Sequence, residues 1–228
     1  MVKKILCIVQ ARMNSKRLPG KILKNLNSKY TVLDFLLHRL KQSKKVHETI
    51  VACTKNPRDN KIIELIKKLN INFFRGSENN VLERFYQAAK KYNADIVVRI
   101  TSDCPLVDPK LVDKFLLNFL KSNYDYYSNI LPRTFPDGLD VEIFSFKTLE
   151  NARKNCYSKF DLEHVTPFML RSKKLKKGNF NLRNDLSTIR ITLDTHKDLI
   201  FLRRIVKKFN PKKYFSWKRV LSEMNIKI

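Results

Sequence analysis

Short, almost unbroken apolar runs alternate with longer stretches of helical spacing through the first 120 residues, and few folds accommodate that rhythm. Lys4 to Val9 reads as a buried strand, and Thr49 to Cys53, Asn72 to Phe74 and Asp95 to Ile100 read as further strands. Between and after them, Val32 to Leu40, Ile62 to Leu69, Val81 to Tyr92 and Pro109 to Leu120 read as helices. Ile62 to Leu69 carries apolar residues on the i, i+3, i+4, i+7 pattern of an amphipathic helix. Pro109 suits a first helical turn, where a missing N–H costs little. Strands that alternate with helices of this length predict an α/β fold, with a mostly parallel sheet covered on both faces. After Ser122 the rhythm changes. Strands are expected at Tyr124 to Ile130 and Val141 to Phe144, and helical stretches near Phe146 to Lys154 and Leu162 to Arg171. A strand at Ile189 to Leu193 and a helix at Leu199 to Phe209 follow. We expect a single domain over residues 1–228, with an inserted arm at about 124–171. A chain of this size buries roughly 70% of its unfolded surface and needs no disulfide or metal staple.

Charge narrows the partners. Forty-seven Lys and Arg against 21 Asp and Glu give a net charge of +26, which attracts polyanions. The lysines are dispersed, as in Lys67-Lys68, Lys90-Lys91, Lys173-Lys174 and Lys207-Lys208, so most read as solvated surface. No apolar run approaches the ~18 residues of a membrane span. Met1 to Gln10 lacks a small-residue cleavage site and reads as a first strand rather than a signal peptide. The four cysteines form no C-x-x-C pair, and buried thiols in a reducing cytoplasm are the expectation.

Chemistry concentrates at strand ends. The loop after the first strand runs Gln10-Ala11-Arg12-Met13-Asn14-Ser15-Lys16-Arg17-Leu18-Pro19-Gly20-Lys21. Its four cations and hydroxyl suit a polyphosphate, with planar contacts from arginine and point charges from lysine. On composition alone a solvated basic loop serves equally well. The spacings of a P-loop and of a Rossmann dinucleotide site are both absent. Gly20, Gly76 and Gly138 lie in polar loops beside strand ends, where ligands bind in open α/β sheets. The strand ending Arg99-Ile100-Thr101-Ser102-Asp103 places a carboxylate at such an end, and Asp194 closes the segment Arg190 to Leu193. The two could share Mg²⁺, which takes oxygen ligands and substrate phosphates. The competing role for Asp194 or Thr195 is capping the next helix, as Asp108 could cap the one at Pro109. Phe135-Pro136-Asp137-Gly138-Leu139-Asp140-Val141-Glu142 sets three acids around a glycine turn. They could bind sugar hydroxyls or a second metal, or simply decorate a hairpin. Glu163-His164 could position an acceptor hydroxyl or shuttle a proton, although a lone histidine is more often structural.

Five stretches in this order carry a family resemblance: QARMNSKRLPGK, VRITSDCPLVDP, FPDGLDVEIF, EHVTPF and RITLDTHKDL, spanning Gln10 to Leu199. The chain resembles cytidylyltransferases of the spore-coat-polysaccharide type, relatives of the CMP-ketodeoxyoctonate and CMP-sialic acid synthetases. That resemblance implies a three-layer α/β/α nucleotidyltransferase fold of the glycosyltransferase-A kind. It implies transfer of CMP from CTP to a sugar acid or related acceptor with loss of pyrophosphate, Mg²⁺ as cofactor, and a homodimer joined through the arm. It matches Gln10, Ala11, Arg12, Ser15, Lys16, Arg17, Lys21, Thr101 and Asp103 to nucleotide binding, and Thr54 and Arg75-Gly76-Ser77 to positions near base and ribose. Asp103 and Asp194 match the metal ligands, and with Arg12 and Lys21 the catalytic set. Asp137, Gly138, Asp140, Glu142, Glu163 and His164 fall where acceptor-facing residues are expected. The basic residues that hold the acceptor carboxylate in the sialic and ketodeoxyoctonate enzymes have no clear counterpart here. The alternatives are a nucleotidyltransferase using another triphosphate or a phosphorylated polyol, and a basic nucleic-acid-binding protein. A nucleic-acid groove would not centre on Asp103, Asp137, Asp140 and Asp194 unless metals neutralised them, so no specific nucleic acid is expected.

Overall fold

The computed structural model describes residues 2–226. In chain order its elements are β1 (Ile5–Gln10), α1 (Val32–Leu40), β2 (Glu48–Thr54), α2 (Asn60–Lys68), β3 (Asn72–Gly76), α3 (Val81–Lys91), β4 (Ile96–Thr101) and α4 (Pro109–Lys121). There follow β5 (Tyr126–Ser128), β6 (Glu142–Ser145), α5 (Phe146–Asn155), α6 (Lys159–His164), α7 (Pro167–Arg171), β7 (Lys177–Asn179), α8 (His196–Val206) and α9 (Trp217–Ser222). The strands form one sheet in the order β3-β2-β1-β4-β6-β5-β7. β1 to β4 are mutually parallel, and only β6 runs antiparallel to its neighbours.

Alternation along β1 explains the three layers. Ile5, Cys7 and Val9 point into a core shared with α1, α2, α4, α8 and α9. Leu6 and Ile8 point the other way, into a core built with α3, α5 and α7. Each fully buried aliphatic side chain stabilises the fold by about 1.5–3 kcal/mol, so both faces of the sheet are strongly committed. The chain steps outward from β1 to β3, then crosses β1 to lay down β4 on its far side. In an open α/β sheet that reversal opens a crevice at the carboxyl ends of the strands. Gln10, Thr54, Gly76 and Thr101 end the four parallel strands on that edge.

Helix boundaries follow local chemistry. The Asp108 carboxylate accepts from the Lys110 N–H and caps α4, whose first turn holds Pro109. Thr195, not Asp194, caps α8, in a reciprocal arrangement with Asp198.

Several elements differ from expectation. Ile189 to Leu193 is no sheet strand. It is an extended segment with one bridge, Asp137 to Arg190, and its backbone bonds go to Asp137 and Asp103. Burial of Ile191 and Leu193 in the core produced the strand-like pattern. The helix expected over Leu162 to Arg171 is two short helices, broken where Val165 takes φ 71° ahead of Pro167. β7 and α9 were not anticipated; three and six residues are too few to show a period. The segment 124–171 contributes β5 and β6 to the sheet and α5 to α7 to one face. Among the described residues no helix is long and apolar enough to cross a membrane.

Candidate functional site

Beyond Gln10 the chain folds back on itself. The N–H groups of Ser15 and Gly20 both donate to the Met13 carbonyl, at 2.9 Å each, and Gly20 sits at φ 66°. The one-turn 3-10 helix Lys21–Leu23 then sends Lys21 inward, leaving its side chain 11% exposed. Its ammonium donates to Asp103 Oδ2 at 2.7 Å, to the Leu193 carbonyl at 2.7 Å and to Asp194 Oδ1 at 3.0 Å. The Asp103 backbone is fixed by the Leu193 N–H, which donates to its carbonyl at 2.8 Å. Because Thr195 caps α8, the Asp194 carboxylate is left to face cations. Arg17 reaches it at 2.7 Å, and Arg190 bonds it too. Burial pushes the Asp194 carboxyl up, but the bonds from Arg190 and Lys21 outweigh it and hold the group below the usual carboxylate range.

These residues open on a cavity of about 430 Å³. Gln10, Ala11, Arg12, Ser15, Lys16 and Arg17 line it together with Lys21, Thr101, Asp103 and Asp194. Glu163 and His164 of α6 line it too, with Glu163 paired to Arg12 at 3.2 Å. Twelve residues selected from the sequence, drawn from four separate stretches, thus share one cavity.

Others do not reach it. Thr54 is buried; its N–H donates to Asp59, and its carbonyl accepts from Arg75. Arg75 is spent on the carbonyls of Thr54 and Asn56, and the Ser77 hydroxyl accepts from the Asn80 N–H. At Gly76 a Cβ would come within 2.8 Å of Arg84 Cγ, so that glycine serves packing. The three acids around Gly138 also stay outside the lining, and each is engaged by an arginine. Arg133 forks onto Asp140, Arg190 holds Asp137 at 2.6 Å, and Arg99 with the Tyr126 hydroxyl holds Glu142. Gly138 at φ 111° lays this turn against the backbone of Ile191 and Thr192.

Two charged lining residues went unselected in the sequence. Arg84 of α3 is 2% exposed, and burial pushes its guanidinium down to about 10. Its signal was its place on the apolar face with Val81, Phe85 and Ala88. Arg99 interrupts an otherwise apolar strand, and stood in a quoted stretch without a role. Arg84 Nε, Arg99 Nε and Gln10 Oε1 are buried with no hydrogen-bond partner among the described residues. All three residues line the cavity, and such groups in a folded protein imply a ligand or ordered solvent.

Among the described residues no group of three or more His, Cys, Asp or Glu gathers as a metal cluster. Two carboxylates already converge on one cation, however. Mg²⁺ characteristically takes one or two carboxylates and completes its shell with water and substrate phosphate. The donor set fits that ion.

A family model described as cytidylyltransferase matches residues 6–219. The chain belongs to the cytidylyltransferase family. A solved cytidylyltransferase from Leptospira borgpetersenii superposes with TM-score 0.93 at 36% identity, covering 98% of this chain and 94% of that one. The spore coat polysaccharide biosynthesis protein SpsF of Bacillus subtilis is 30% identical, over 97% of this chain and 94% of its own. An uncharacterized protein of Methanocaldococcus jannaschii is 43% identical, over 91% of this chain and 85% of its own. As a member of the cytidylyltransferase family the chain is a nucleotidyltransferase, and its α/β fold is the family's.

Proposed function

We propose that this chain transfers CMP from CTP to a sugar acid of the ulosonic kind, or a related acceptor, releasing pyrophosphate for surface polysaccharide synthesis. The observation that carries this reading is the convergence of Asp103 and Asp194 on the Lys21 ammonium, in a cavity also lined by a cationic loop. The likeness to SpsF supports the polysaccharide context.

Arg12, Lys16, Arg17 and Lys21 neutralise the triphosphate. An acceptor hydroxyl attacks the α-phosphorus in line. The new oxygen–phosphorus bond forms as the bond to the bridging oxygen breaks, and pyrophosphate leaves toward the cationic loop. Glu163 and His164 border the cavity, and one of the two takes up the proton that the attacking hydroxyl gives up. Asp103 and Asp194 would hold Mg²⁺, which when bound lowers the hydroxyl pKa and offsets charge on the transferring group. Fixed donors aimed at developing charge each contribute roughly 2.7–4 kcal/mol. Four buried free thiols support a cytoplasmic setting for the reaction. Tyr157 and Phe160, 84% and 61% exposed on the arm, support a homodimer joined there, which light scattering tests.

A screen of pyrophosphate release checks the whole reading, with each of the four nucleotides, a panel of sugar acids and polyols, and Mg²⁺ present or chelated. Release from CTP with a sugar acid, lost on chelation, is expected. Preference for another nucleotide or for a phosphorylated polyol would replace it.

A further inference from the structure

The cationic loop is anchored at its middle by acids that do not line the cavity. Asp59 ends a one-turn 3-10 helix, Pro57–Asp59, and is 1% exposed. One of its oxygens accepts from the Met13 N–H at 2.9 Å, the other from the Thr54 N–H at 2.8 Å. One residue further along the loop, the Asn14 amide donates to Glu78 Oε1 at 2.6 Å. Glu78 Oε2 accepts from the Asn56 amide at 3.0 Å, and Arg58 donates to Asn14 Oδ1 at 3.2 Å. Glu78 lies in the connection between β3 and α3, and Asn56 just beyond β2. A single carboxylate thus ties the loop from β1 to segments leaving the next two strands. The bonds from Asn56 and Asn14 hold the Glu78 carboxyl below the usual range, so it is charged at neutral pH.

A charged carboxylate beside a loop that binds a polyphosphate repels the ligand. Its presence needs a compensating benefit, and the hydrogen bonds supply one. We propose that Glu78 is a positioning residue: by clasping Asn14 to Asn56 it holds the loop in its binding form, and this gain exceeds the repulsion it exerts on the nucleotide. The proposal rests on the CTP reading of the cavity. It is sharp because two effects of opposite sign compete. Removing a negative charge strengthens binding of a polyanion. Removing the clasp weakens binding, because apparent affinity falls by the fraction of time the loop stays competent; a drop to about one-tenth costs about tenfold.

Kinetics of Glu78→Ala, Asn14→Ala and the double variant decide between them. The clasp predicts that each single variant raises the KM for CTP about 5–20-fold with kcat within about threefold. The double variant should be no worse than the worse single one, since both break one unit. A lower KM in Glu78→Ala, or effects that multiply in the double variant, would overturn the proposal. Amide hydrogen exchange of the ligand-free protein is read in parallel. Exchange at residues 13–17 should quicken about tenfold in Glu78→Ala, and unchanged exchange there would also overturn the clasp. If the unaltered protein releases no pyrophosphate from any nucleotide, the CTP reading fails while hydrogen exchange still decides whether Glu78 orders the loop.

Discussion

Two groups of acids sit at the same end of the sheet, and the sequence alone gives both a claim to the ligand. Asp103 and Asp194 line the cavity and share the ammonium of Lys21, a point charge on a flexible stem. Asp137, Asp140 and Glu142 stay outside the lining, each engaged by a guanidinium from β4 or from the segments beside the turn. An arginine fork satisfies a carboxylate in a fixed plane and immobilises it. A lysine between two acids can give way to phosphate or metal at little structural cost. Asp194 is also bonded by Arg17 and Arg190, so what sets the two groups apart is the shared Lys21 ammonium and the cavity, which Asp137, Asp140 and Glu142 lack.

The largest effect is expected where the two acids of the cavity are joined. Lys21→Met should lower turnover by about a hundredfold or more, with circular dichroism and melting temperature close to the unaltered protein. A folded variant with near-normal pyrophosphate release would end the comparison. The counterpart on the structural side is Arg133→Met. It leaves Asp140, whose folded pKa burial already raises, without its fork. We expect a loss of about 1–3 kcal/mol in urea unfolding, below the range for a fully buried pair because both side chains keep partial exposure. Turnover should stay within about threefold. Lost turnover without lost stability would move Asp140 into the site.

The smallest effect is a dependence on pH. Asp161 of α6 is gripped by Arg171, whose hydrogen bonds outweigh burial and hold its carboxyl below the usual range. A depressed folded pKa gives stability that is complete above the unfolded value of about 3.9 and is lost as pH falls through the folded one. Melting curves of Asp161→Asn should therefore lie below those of the unaltered protein at pH 7 and converge with them in acid. Asp140 carries the opposite sign: its raised folded pKa costs stability as pH rises through the carboxylate range. Curves for Asp161→Asn that stay apart in acid would contradict the assignment.

Much of this was legible beforehand, for physical reasons that differ by region. β1, β2 and β4, with their helices, are long enough, and buried enough on both sides, to print their periods into the sequence. The far half of the sheet is not: β5 and β7 have three residues each, and their pairing is set by contacts remote in sequence. In the site, Arg12, Lys21, Asp103 and Asp194 each had a plain alternative as solvated loop or helix cap, and it was the order of the five stretches that singled them out. Arg84 was passed over although its place on the apolar face with Val81, Phe85 and Ala88 marked it as a buried cation. The resemblance matched Asp137, Asp140 and Glu142 to the acceptor; a sequence shows those acids but not Arg133, Arg190 and Arg99 closing on them.

The central claim is the proposal that chemistry belongs to the acids that share Lys21 in the cavity and not to the three around Gly138. CTP-dependent pyrophosphate release by Asp103→Asn and Asp140→Asn, measured side by side on folded protein, tests it most directly. The account predicts a loss of about a hundredfold or more for Asp103→Asn and activity within about threefold of normal for Asp140→Asn. Equal losses, or the reverse order, would contradict it.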